Sequence, residues 1–253
     1  MHAVIVLGTA GSGKTTFTAN FSRWLRDKLA VVRVCPVNLD PGASNLPYEP
    51  SYDVRTLVRV DRLMIEEGLG PNGALVRAAE LIAERSDDIA SSLTSLSCEY
   101  FVIDTPGQVE VFALRPTGRV LCDKLAKSFR LSAIWLGDYE PGRELEDLLS
   151  SALLAKIIEL KLSIKAIPVL NKSDLWEGDR IDALWEAVLK GELNLIEGSL
   201  SGTYMEALYE LINAVSSFRS PVRVASISAK YFRGFQDVFD MLNEVWCACG
   251  DLT

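Results

Sequence analysis

Residues 3–16 read AVIVLGTAGSGKTT and decide the fold, because an apolar run passes directly into a glycine-rich turn. The turn, Gly8–Thr15, is a complete G-x-x-x-x-G-K-[ST] pattern. Between a strand and a helix, this pattern is typical of a loop whose backbone N–H groups surround phosphate oxygens at a helix amino terminus. A glycine-rich turn with a coincidental Lys-Thr pair is the alternative, and the strand-to-helix context disfavours it. The stretch therefore predicts a P-loop nucleotide-binding fold.

The side chains of this loop have distinct predicted roles. Lys14 would reach the β- and γ-phosphates of a nucleotide, and the Thr15 hydroxyl would bind Mg²⁺. The other predicted phosphate contacts are Gly11, Ser12, Gly13 and Thr16.

Apolar, β-branched runs alternate with helical patterns along the rest of the chain. The predicted strands are Ala3–Leu7, Val31–Val37, Tyr100–Asp104, Leu131–Leu136, Lys165–Leu170 and Val222–Ile227. The predicted helices are Lys14–Leu29, Gly73–Leu96, Val109–Lys127, Arg143–Leu160, Ile181–Leu189, Tyr204–Phe218 and Phe235–Ala248. Such strands indicate right-handed crossovers and a sheet covered on both faces. We expect an α/β, three-layer P-loop NTPase fold with a mostly or wholly parallel central sheet and helical insertions.

The domain organisation follows from what the chain lacks. The 253 residues contain no Pro/Ser-rich linker, low-complexity tract or internal repeat. We therefore expect a single domain over residues 1–253, with insertions at about 40–96 and 176–220. Pro36 lies inside the second predicted strand, which indicates a strand near the sheet edge or one that ends early.

Composition excludes several classes of function. The formal net charge of −8 argues against general binding to nucleic-acid backbones, which clustered Lys and Arg hold. No run of about 18 apolar residues is present to span a membrane, and the amino terminus has no signal-peptide pattern. His2 is the single histidine, so Ser-His-Asp catalysis, Cys-His catalysis and a histidine-ligated zinc site are not expected.

The cysteines and the hydropathy give weaker indications. An odd, scattered set of cysteines favours a reducing, cytoplasmic location over a disulfide framework. A metal or redox role for the C-x-C pair stays a minor alternative, because no other Cys or His cluster completes such a site. The mean hydropathy of +0.16 fits either an apolar surface covered by a partner or a large sheet buried on both faces. The cysteines are Cys35, Cys98, Cys122, Cys247 and Cys249.

A second motif follows the third predicted strand. Residues 101–108 read FVIDTPGQ, an apolar strand that ends in a carboxylate, as in a Walker B motif. Asp104 is therefore expected to support the Mg²⁺ shell, and the Gly107 N–H is placed to sense a γ-phosphate.

A third motif, NKSD at residues 171–174, is placed to read the base, together with SAK at residues 228–230. Guanine offers an N1–H and a C2 amino group to the Asp174 carboxylate. Adenine offers neither, and leaving a buried carboxylate unpaired costs about 1–3 kcal/mol or more. Lys172 would lie along the base plane, and the backbone after the last strand suits a contact to guanine O6. The predicted base contacts are Asn171, Lys172, Asp174, Ser228, Ala229 and Lys230.

Together these motifs resemble those of the GTPase superclass, and three further segments narrow the resemblance. They read NLDP at residues 38–41, LPYEP at 46–50 and GLGPNG at 68–73. The Gly-Pro-Asn group is the signature of the GPN-loop GTPases, and CGDLT at residues 249–253 is similar to archaeal members. The resemblance covers essentially the whole chain, although Pro36 and residues 176–220 match only loosely.

The resemblance implies a homodimeric, Mg²⁺-dependent GTPase whose Gly-Pro-Asn loop reaches into the partner's active site. It implies that Asp40 lies beside Mg²⁺ and the attacking water. It also implies catalytic roles for Gln108 and Glu110, which follow the DTPG stretch. The loop residues are Gly70, Pro71 and Asn72.

More than one function is compatible with these motifs. The first is an enzyme that hydrolyses GTP. The second is a nucleotide-switched assembly factor or chaperone, because the resemblance extends to eukaryotic relatives associated with RNA polymerase assembly. A P-loop small-molecule kinase is a third, in which the NKSD and SAK groups would have no role. Asp53 and Arg55 are either a solvated ion pair or, as we favour, a structural brace near the nucleotide.

Overall fold

The computed structural model describes residues 1–138, 144–175, 184, 203–217 and 224–248. Its centre is a seven-stranded sheet of order β3-β2-β4-β1-β5-β6-β7, and every strand pair in it is parallel. The prediction of a mostly or wholly parallel sheet is therefore confirmed. The strands are β1 (His2–Gly8), β2 (Val34–Asn38), β3 (Tyr52–Asp53), β4 (Tyr100–Asp104), β5 (Arg130–Gly137), β6 (Lys165–Leu170) and β7 (Ala225–Ser226).

Helices cover both faces of this sheet. Those that the structure describes are α1 (Lys14–Leu29), α2 (Val60–Glu66), α3 (Pro71–Glu84), α4 (Ser86–Thr94), α5 (Val109–Phe112), α6 (Pro116–Leu125), α7 (Glu144–Leu162), α8 (Thr203–Ser216) and α9 (Phe235–Ala248). The predicted bounds of α1 and α9 are confirmed to the residue.

Two predicted helices are each divided in the structure. The helix predicted over 73–96 is interrupted at Arg85, which ends α3 and precedes α4. The helix predicted over 109–127 is interrupted before Pro116, the first residue of α6, because proline fits a first helical turn but not a helix interior. The break allows α6 to pack against α5. Gly118 of α6 lies so close to the Phe112 carbonyl of α5 that no side chain would fit there.

The first insertion contains structure that the sequence patterns did not predict. Strand β3, a 3₁₀ turn at Val54–Thr56 and helix α2 all lie between residues 40 and 70. The second predicted strand begins at Val34 rather than Val31, and the last one is described only as the two residues of β7. The helix predicted over 181–189 lies outside the described residues except for Leu184.

Pro36 has no backbone N–H to donate, and at its position in the sheet this removes little hydrogen bonding between strands. Strand β2 is the second strand from the sheet edge, and its outer neighbour β3 is only two residues long. The Pro36 carbonyl accepts the Ser51 N–H at 2.8 Å, so this residue bonds towards the edge and not towards β4. The prediction of a strand near the edge is confirmed.

The core has one layer on each face of the sheet. On one face, Phe17 and Phe21 of α1 stack on each other and meet Phe235 of α9 edge-on. On the other face, α4, α6 and α7 contribute buried Leu and Ile side chains, among them Leu93, Leu121 and Ile158, which pack against the strands. Because both faces are covered, the strands are nearly continuous in apolar residues.

The start of β1 carries the histidine of the chain. The His2 ring stacks on Tyr100 and contacts Trp246 of α9, with ring centroids 5.1 and 4.5 Å away. Its Nδ1 is buried without a hydrogen-bond partner among the described residues. Burial, the chain amino terminus and Arg130 lower the pKa of His2, so the neutral ring is favoured.

The cysteines differ from expectation at one pair. Cys35 in β2 and Cys98 before β4 form a disulfide between buried side chains, with Cα atoms 6.1 Å apart. Strand β2 pairs with β4, so Cys35 lies next to the segment that leads into β4, a proximity that the separation of 63 positions conceals in the sequence. The expectation of cysteines without a disulfide is therefore wrong for this pair. Cys122 and Cys247 are free thiols, and Cys249 lies outside the described residues.

No helix among the described residues combines the length and the apolar character that crossing a bilayer requires.

Candidate nucleotide-binding site

The predicted motifs meet at one edge of the sheet. Strands β1, β4, β6 and β7 run in the same direction, so the segments that follow them all emerge at the carboxyl edge. Ligands of open parallel sheets bind at this edge. We call residues 8–16 together with Asp104 the phosphate end, and residues 171–174 together with 228–230 the base end.

The loop of the phosphate end requires glycine at two positions. Gly11 and Gly13 have φ angles of 83° and 94°, which side chains rarely allow. At Gly13 a side chain would also collide with the amide group of Asn171. The second glycine of the motif is therefore needed both for its backbone and for the close approach of the base end.

Lys14 is turned back onto its own loop. Its Nζ donates to the carbonyl oxygens of Gly8 at 3.0 Å and Thr9 at 2.8 Å, and the residue is only 6% exposed. Burial lowers the pKa of Lys14, while Asp104 and Asp40 act in the opposite direction. Ser12 in the same loop is fully buried, and its Oγ has no partner among the described residues.

Asp104 ends β4 as predicted and is 1% exposed. Its Oδ2 accepts a hydrogen bond from the Tyr48 hydroxyl at 3.1 Å, whereas its Oδ1 has no partner within the described residues. Burial raises the pKa of Asp104 to about 6, although Thr15, Tyr48 and Lys14 all lower it. An unpaired, buried carboxylate oxygen near a lysine is the arrangement that a hydrated cation would complete.

Asp40 lies in a short loop after β2. Its Oδ1 accepts the Gly42 N–H at 2.8 Å, and burial raises the pKa of this carboxyl. Its backbone is held by Asn38, whose amide accepts from the Asp40 N–H at 3.0 Å and donates to the Asp40 carbonyl at 3.2 Å. Asp40 and Asp104 therefore follow adjacent strands at the same edge.

The pair Asp53 and Arg55 holds this loop from the other side. The Arg55 guanidinium contacts both Asp53 oxygens, at 2.6 to 3.0 Å, and donates to the Ala43 carbonyl at 2.9 Å. Asp53 also accepts from Asn38 at 2.9 Å. Burial alone would raise the pKa of Asp53, but these hydrogen bonds lower it. The contacts are those of a brace, which was the favoured interpretation of this pair.

The base end is joined to the phosphate end by Asn171. This residue is 3% exposed, its Nδ2 donates to the Ser12 carbonyl at 2.8 Å, and its Oδ1 accepts the Ala229 N–H at 3.0 Å. The Ala229 carbonyl accepts in turn from Asn20 of α1 at 2.8 Å. One side chain therefore fixes the spacing between the P-loop and both base-end segments.

The other residues predicted to contact the base have the following partners. The Ser228 hydroxyl donates to Asp174 Oδ1, which leaves the second carboxylate oxygen for another donor. Lys172 has a φ of 65° and pairs through Nζ with Asp138 at 2.8 Å. Lys230 lies over the Tyr231 ring, 5.0 Å from its centroid.

The remaining predicted residues are not joined to this network. Gln108 immediately precedes α5 and is half-buried, whereas Glu110 in the first turn of that helix is exposed. Asn72 lies in the first turn of α3 and is exposed. A side chain added at Gly68 or Gly70 would meet nothing within 4 Å, so the Gly-Pro-Asn loop borders open space.

Helix α3 nevertheless lines the same cavity as both carboxylate loops. A small apolar cavity separates it from residues just after Asp40 and Asp104, and its lining includes Leu75, Ala79, Pro41 and Pro106. Pro41 also accepts the Val60 N–H of α2 at 3.2 Å. The first insertion is therefore packed on the loops that carry the two carboxylates.

Sequence reasoning missed two contributors to the site. Tyr48 was noticed only as part of the LPYEP segment, and Asn38 only as part of NLDP. Neither residue belongs to a motif whose spacing would reveal its role. Each acts through a contact with a residue that the fold brings near. The two prolines that flank Tyr48 are the available hint, since they indicate a fixed backbone.

The donor set fits a magnesium ion bound mainly through phosphates and water. Among the described residues, no group of three or more His, Cys, Asp or Glu side chains could hold a metal by itself. Mg²⁺ in phosphate-transfer sites usually takes only one or two protein carboxylates and keeps several waters. The orphaned Oδ1 of Asp104 is the observation that favours such a site.

Comparison with known proteins agrees with this geometry. A family described as "Conserved hypothetical ATP binding protein" matches residues 6–248. The chain is 37% identical to GPN-loop GTPase PAB0955 of Pyrococcus abyssi, over 99% of each chain. It is 33% identical to GPN-loop GTPase 1 of Schizosaccharomyces pombe, over 85% of this chain and 59% of that protein.

A solved structure extends the agreement to three dimensions. The crystal structure of PAB0955, described as a GTPase in apo form, superposes with a TM-score of 0.84 at 34% identity and covers 98% of both chains. Identity over the whole length and a shared fold lead to one assignment. The chain belongs to the GPN-loop GTPase family.

Proposed function

We propose that this protein binds GTP and hydrolyses it to GDP and phosphate with Mg²⁺. The observation that carries the proposal is the geometry at Asn171, which joins a complete P-loop to Ala229. The neighbouring Ser228 holds Asp174, and this supports a role for Asp174 in reading guanine. The family description mentions ATP, whereas the curated relatives are named GTPases. The residues of the base end favour guanine, and therefore agree with the name GTPase.

Guanine selectivity would come from Asp174. Ser228 occupies one of its oxygens and fixes its orientation, so the other is available to the N1–H and C2 amino group of guanine. Adenine offers no donor at these positions, and an unpaired buried carboxylate costs about 1–3 kcal/mol or more. Asn171 and Asn20 hold the Ala229 backbone. Because the Ala229 N–H is already bonded to Asn171, the neighbouring Lys230 N–H would be the donor to guanine O6.

The phosphate end supplies charge stabilisation. Lys14 would leave the carbonyls of its own loop for the β- and γ-phosphate oxygens, because a phosphate is a stronger partner than a neutral carbonyl. Thr15, Asp104 and Asp40 would hold Mg²⁺, which neutralises charge on the phosphates when bound. The glycine N–H groups, with Ser12 and Thr16, would complete the cradle.

Water placement is assigned to groups other than histidine, because His2 lies at the opposite end of β1. Gln108, Glu110 and Asp40 would orient the attacking water, and the loose transition state then requires mainly positioning. Asn72 would reach the active site of a second subunit in a homodimer. The open space around the Gly-Pro-Asn loop supports this part of the proposal.

Turnover measurements test these roles. We expect phosphate release from GTP with Mg²⁺ and little from ATP, and a loss of rate in Gln108→Ala, Glu110→Ala and Asn72→Ala. Arg62→Ala, an exposed change on α2, is the control and keeps its rate. Unchanged rates in all three variants would remove the proposed roles, and equal binding of ATP and GTP would remove the guanine assignment.

A second function is compatible with the same chemistry. In this alternative the protein is a cytoplasmic, nucleotide-switched assembly factor or chaperone for a protein complex such as RNA polymerase, and slow hydrolysis resets it. The cavity that α3 and both carboxylate loops line together supports it, because a shift of these loops with nucleotide state would reach the surface of the first insertion. A turnover rate that rises only when a protein partner is added would favour this alternative. In both proposals, residues 1–253 form a single domain.

A further inference from the structure

The loop between β2 and β3 carries one side chain that reaches the centre of the phosphate end. Tyr48 is half-buried, and its hydroxyl lies 3.1 Å from Oδ2 of Asp104, a residue 56 positions away. The Thr15 hydroxyl also hydrogen-bonds to this carboxylate, from the side of the P-loop. Tyr48 therefore binds the Asp104 carboxylate from the side of the loop between β2 and β3.

The loop around Tyr48 is fixed on both sides. Before it, the Arg55 guanidinium holds the carbonyl of Ala43. After it, the Ser51 N–H is bonded to the Pro36 carbonyl of β2 at 2.8 Å. Pro47 and Pro50 restrict the backbone between these anchors. The Tyr48 hydroxyl is therefore presented to Asp104 by a constrained segment.

The direction of this hydrogen bond is set by chemistry. A tyrosine hydroxyl carries a proton at neutral pH, whereas a carboxylate carries none. The hydroxyl therefore donates, and a carboxylate is the acceptor. Hydrogen bonds to charged groups are roughly twice as strong as neutral ones.

The two oxygens of Asp104 are consequently unequal. Oδ2 is occupied by Tyr48, whereas Oδ1 is buried and unpaired within the described part of the chain. A carboxylate held at one oxygen cannot rotate freely, so the other keeps one direction. We infer that Tyr48 is a positioning residue that holds Oδ2 of Asp104 so that Oδ1 faces the cation of the bound nucleotide. The inference rests on the proposed function, since it requires a divalent cation at this site.

The test measures the cation rather than turnover. Mn²⁺ replaces Mg²⁺ and is titrated by electron paramagnetic resonance into the full-length, GDP-loaded protein, while GDP affinity is measured separately in EDTA. In Tyr48→Phe we expect Mn²⁺ binding about tenfold weaker, because a hydrogen bond to a charged group is lost. GDP affinity in EDTA stays unchanged, because Tyr48 acts only through Asp104.

Tyr52→Phe is the matched control. Tyr52 lies four residues further along, and its buried hydroxyl has no partner among the described residues. Its Mn²⁺ affinity is expected to stay within about twofold of that of the unaltered protein, since no hydrogen bond is removed. Equal Mn²⁺ affinity in Tyr48→Phe and Tyr52→Phe would overturn the inference. So would an equal loss of GDP affinity with and without the cation, which marks a merely structural role.

Two further variants keep the inference falsifiable. In an Asp104→Asn background, Tyr48→Phe is expected to cause no additional loss of Mn²⁺ affinity, and an additional tenfold loss would contradict the assignment. If Tyr48→Phe does not fold, Tyr48→His restores an N–H donor and is expected to bind Mn²⁺ within about threefold of the unaltered protein. A tenfold loss in that variant would overturn the inference. If the unaltered GDP-loaded protein binds no Mn²⁺, the proposed function fails, which is distinguishable from failure of Tyr48 alone.

Discussion

The base end and the phosphate end of the site differ in how far they are assembled without a ligand. At the base end, Asn171, Ala229 and Asp174 already have protein partners that fix their positions. At the phosphate end, Lys14 is bonded to its own loop, and Ser12 Oγ is unpaired within the described residues. The base end is therefore preorganised, whereas the phosphate end must rearrange when a nucleotide binds.

The largest effect is expected at Lys14. Lys14→Ala should lower GTP turnover at least about hundredfold, because the positive charge that would stabilise the transferred phosphate is lost. The thermal stability of the nucleotide-free protein should not fall, since burial disfavours the charged ammonium in that state. Steady-state phosphate release and thermal melting measure the two quantities. A large loss of stability would show that the phosphate end is also assembled before binding.

The next effect concerns Asp174. Asp174→Asn should weaken GTP binding about tenfold to a hundredfold, because the carboxylate that accepts two guanine donors is lost. Xanthosine triphosphate should gain affinity, since its C2 carbonyl accepts from the new amide. Competition against a fluorescent GDP derivative measures both nucleotides. Asp237→Asn, in the first turn of α9, is the control. Unaltered GTP affinity in Asp174→Asn would place base recognition elsewhere.

Asn171 tests preorganisation without any ligand. Asn171→Ala leaves the Ser12 carbonyl and the Ala229 N–H without their buried partner, which should lower the free energy of unfolding by about 1–3 kcal/mol. Denaturant unfolding of the nucleotide-free protein measures this change. Asn45→Ala, at an exposed position in the loop after β2, serves for comparison and should cost less. A negligible loss at Asn171 would mean that the base end is no more assembled than the phosphate end.

The smallest effect is expected for His2, which lies at the end of β1 that is remote from the P-loop. Its titration reports how pH changes the stability of the fold, separately from any effect of pH on the nucleotide site. Its folded-state pKa is lowered, so the unfolded chain binds the proton more tightly. The stabilising contribution is complete above the ordinary pKa of 6.5 and is lost as pH falls below 6.5 through the lowered pKa of the folded state. His2→Phe keeps the ring contacts and should flatten this part of the stability curve. Parallel curves for both proteins would contradict the assignment.

The elements that the sequence predicts well are those with long apolar patterns. The bounds of β4, β6, α1 and α9 follow from such patterns, because burial on the sheet determines which residues are apolar. The first insertion was predicted poorly, since β3 and the turn after it are two and three residues long. Their order depends on contacts with distant residues, such as the bond between Ser51 and Pro36.

In the site, likewise, the sequence predicts which residues take part but not which residues they contact. The motifs identified Asp104, Asn171 and Asp174 because their types and spacing have a chemical reason. The partners of these residues were not predictable, because Tyr48 is 56 positions from Asp104 and Ser228 is 54 positions from Asp174. A hydrogen bond across such a separation has no periodic signal. The separation of 63 positions concealed the Cys35–Cys98 pair for the same reason.

The cavity beside α3 has a mechanical consequence. Pro41 directly follows Asp40, Pro106 follows Asp104 by two residues, and both line the same small apolar space as Leu75 and Ala79. A helix moves as a stiff rod, and a cavity this small leaves little room for the two prolines to shift without displacing Leu75 and Ala79. Any shift of either acid towards a charged ligand therefore alters the seat of this rod. The exposed Gly-Pro-Asn turn begins this helix, just before Leu75, so we expect a displacement at the cavity to be carried to the outer surface.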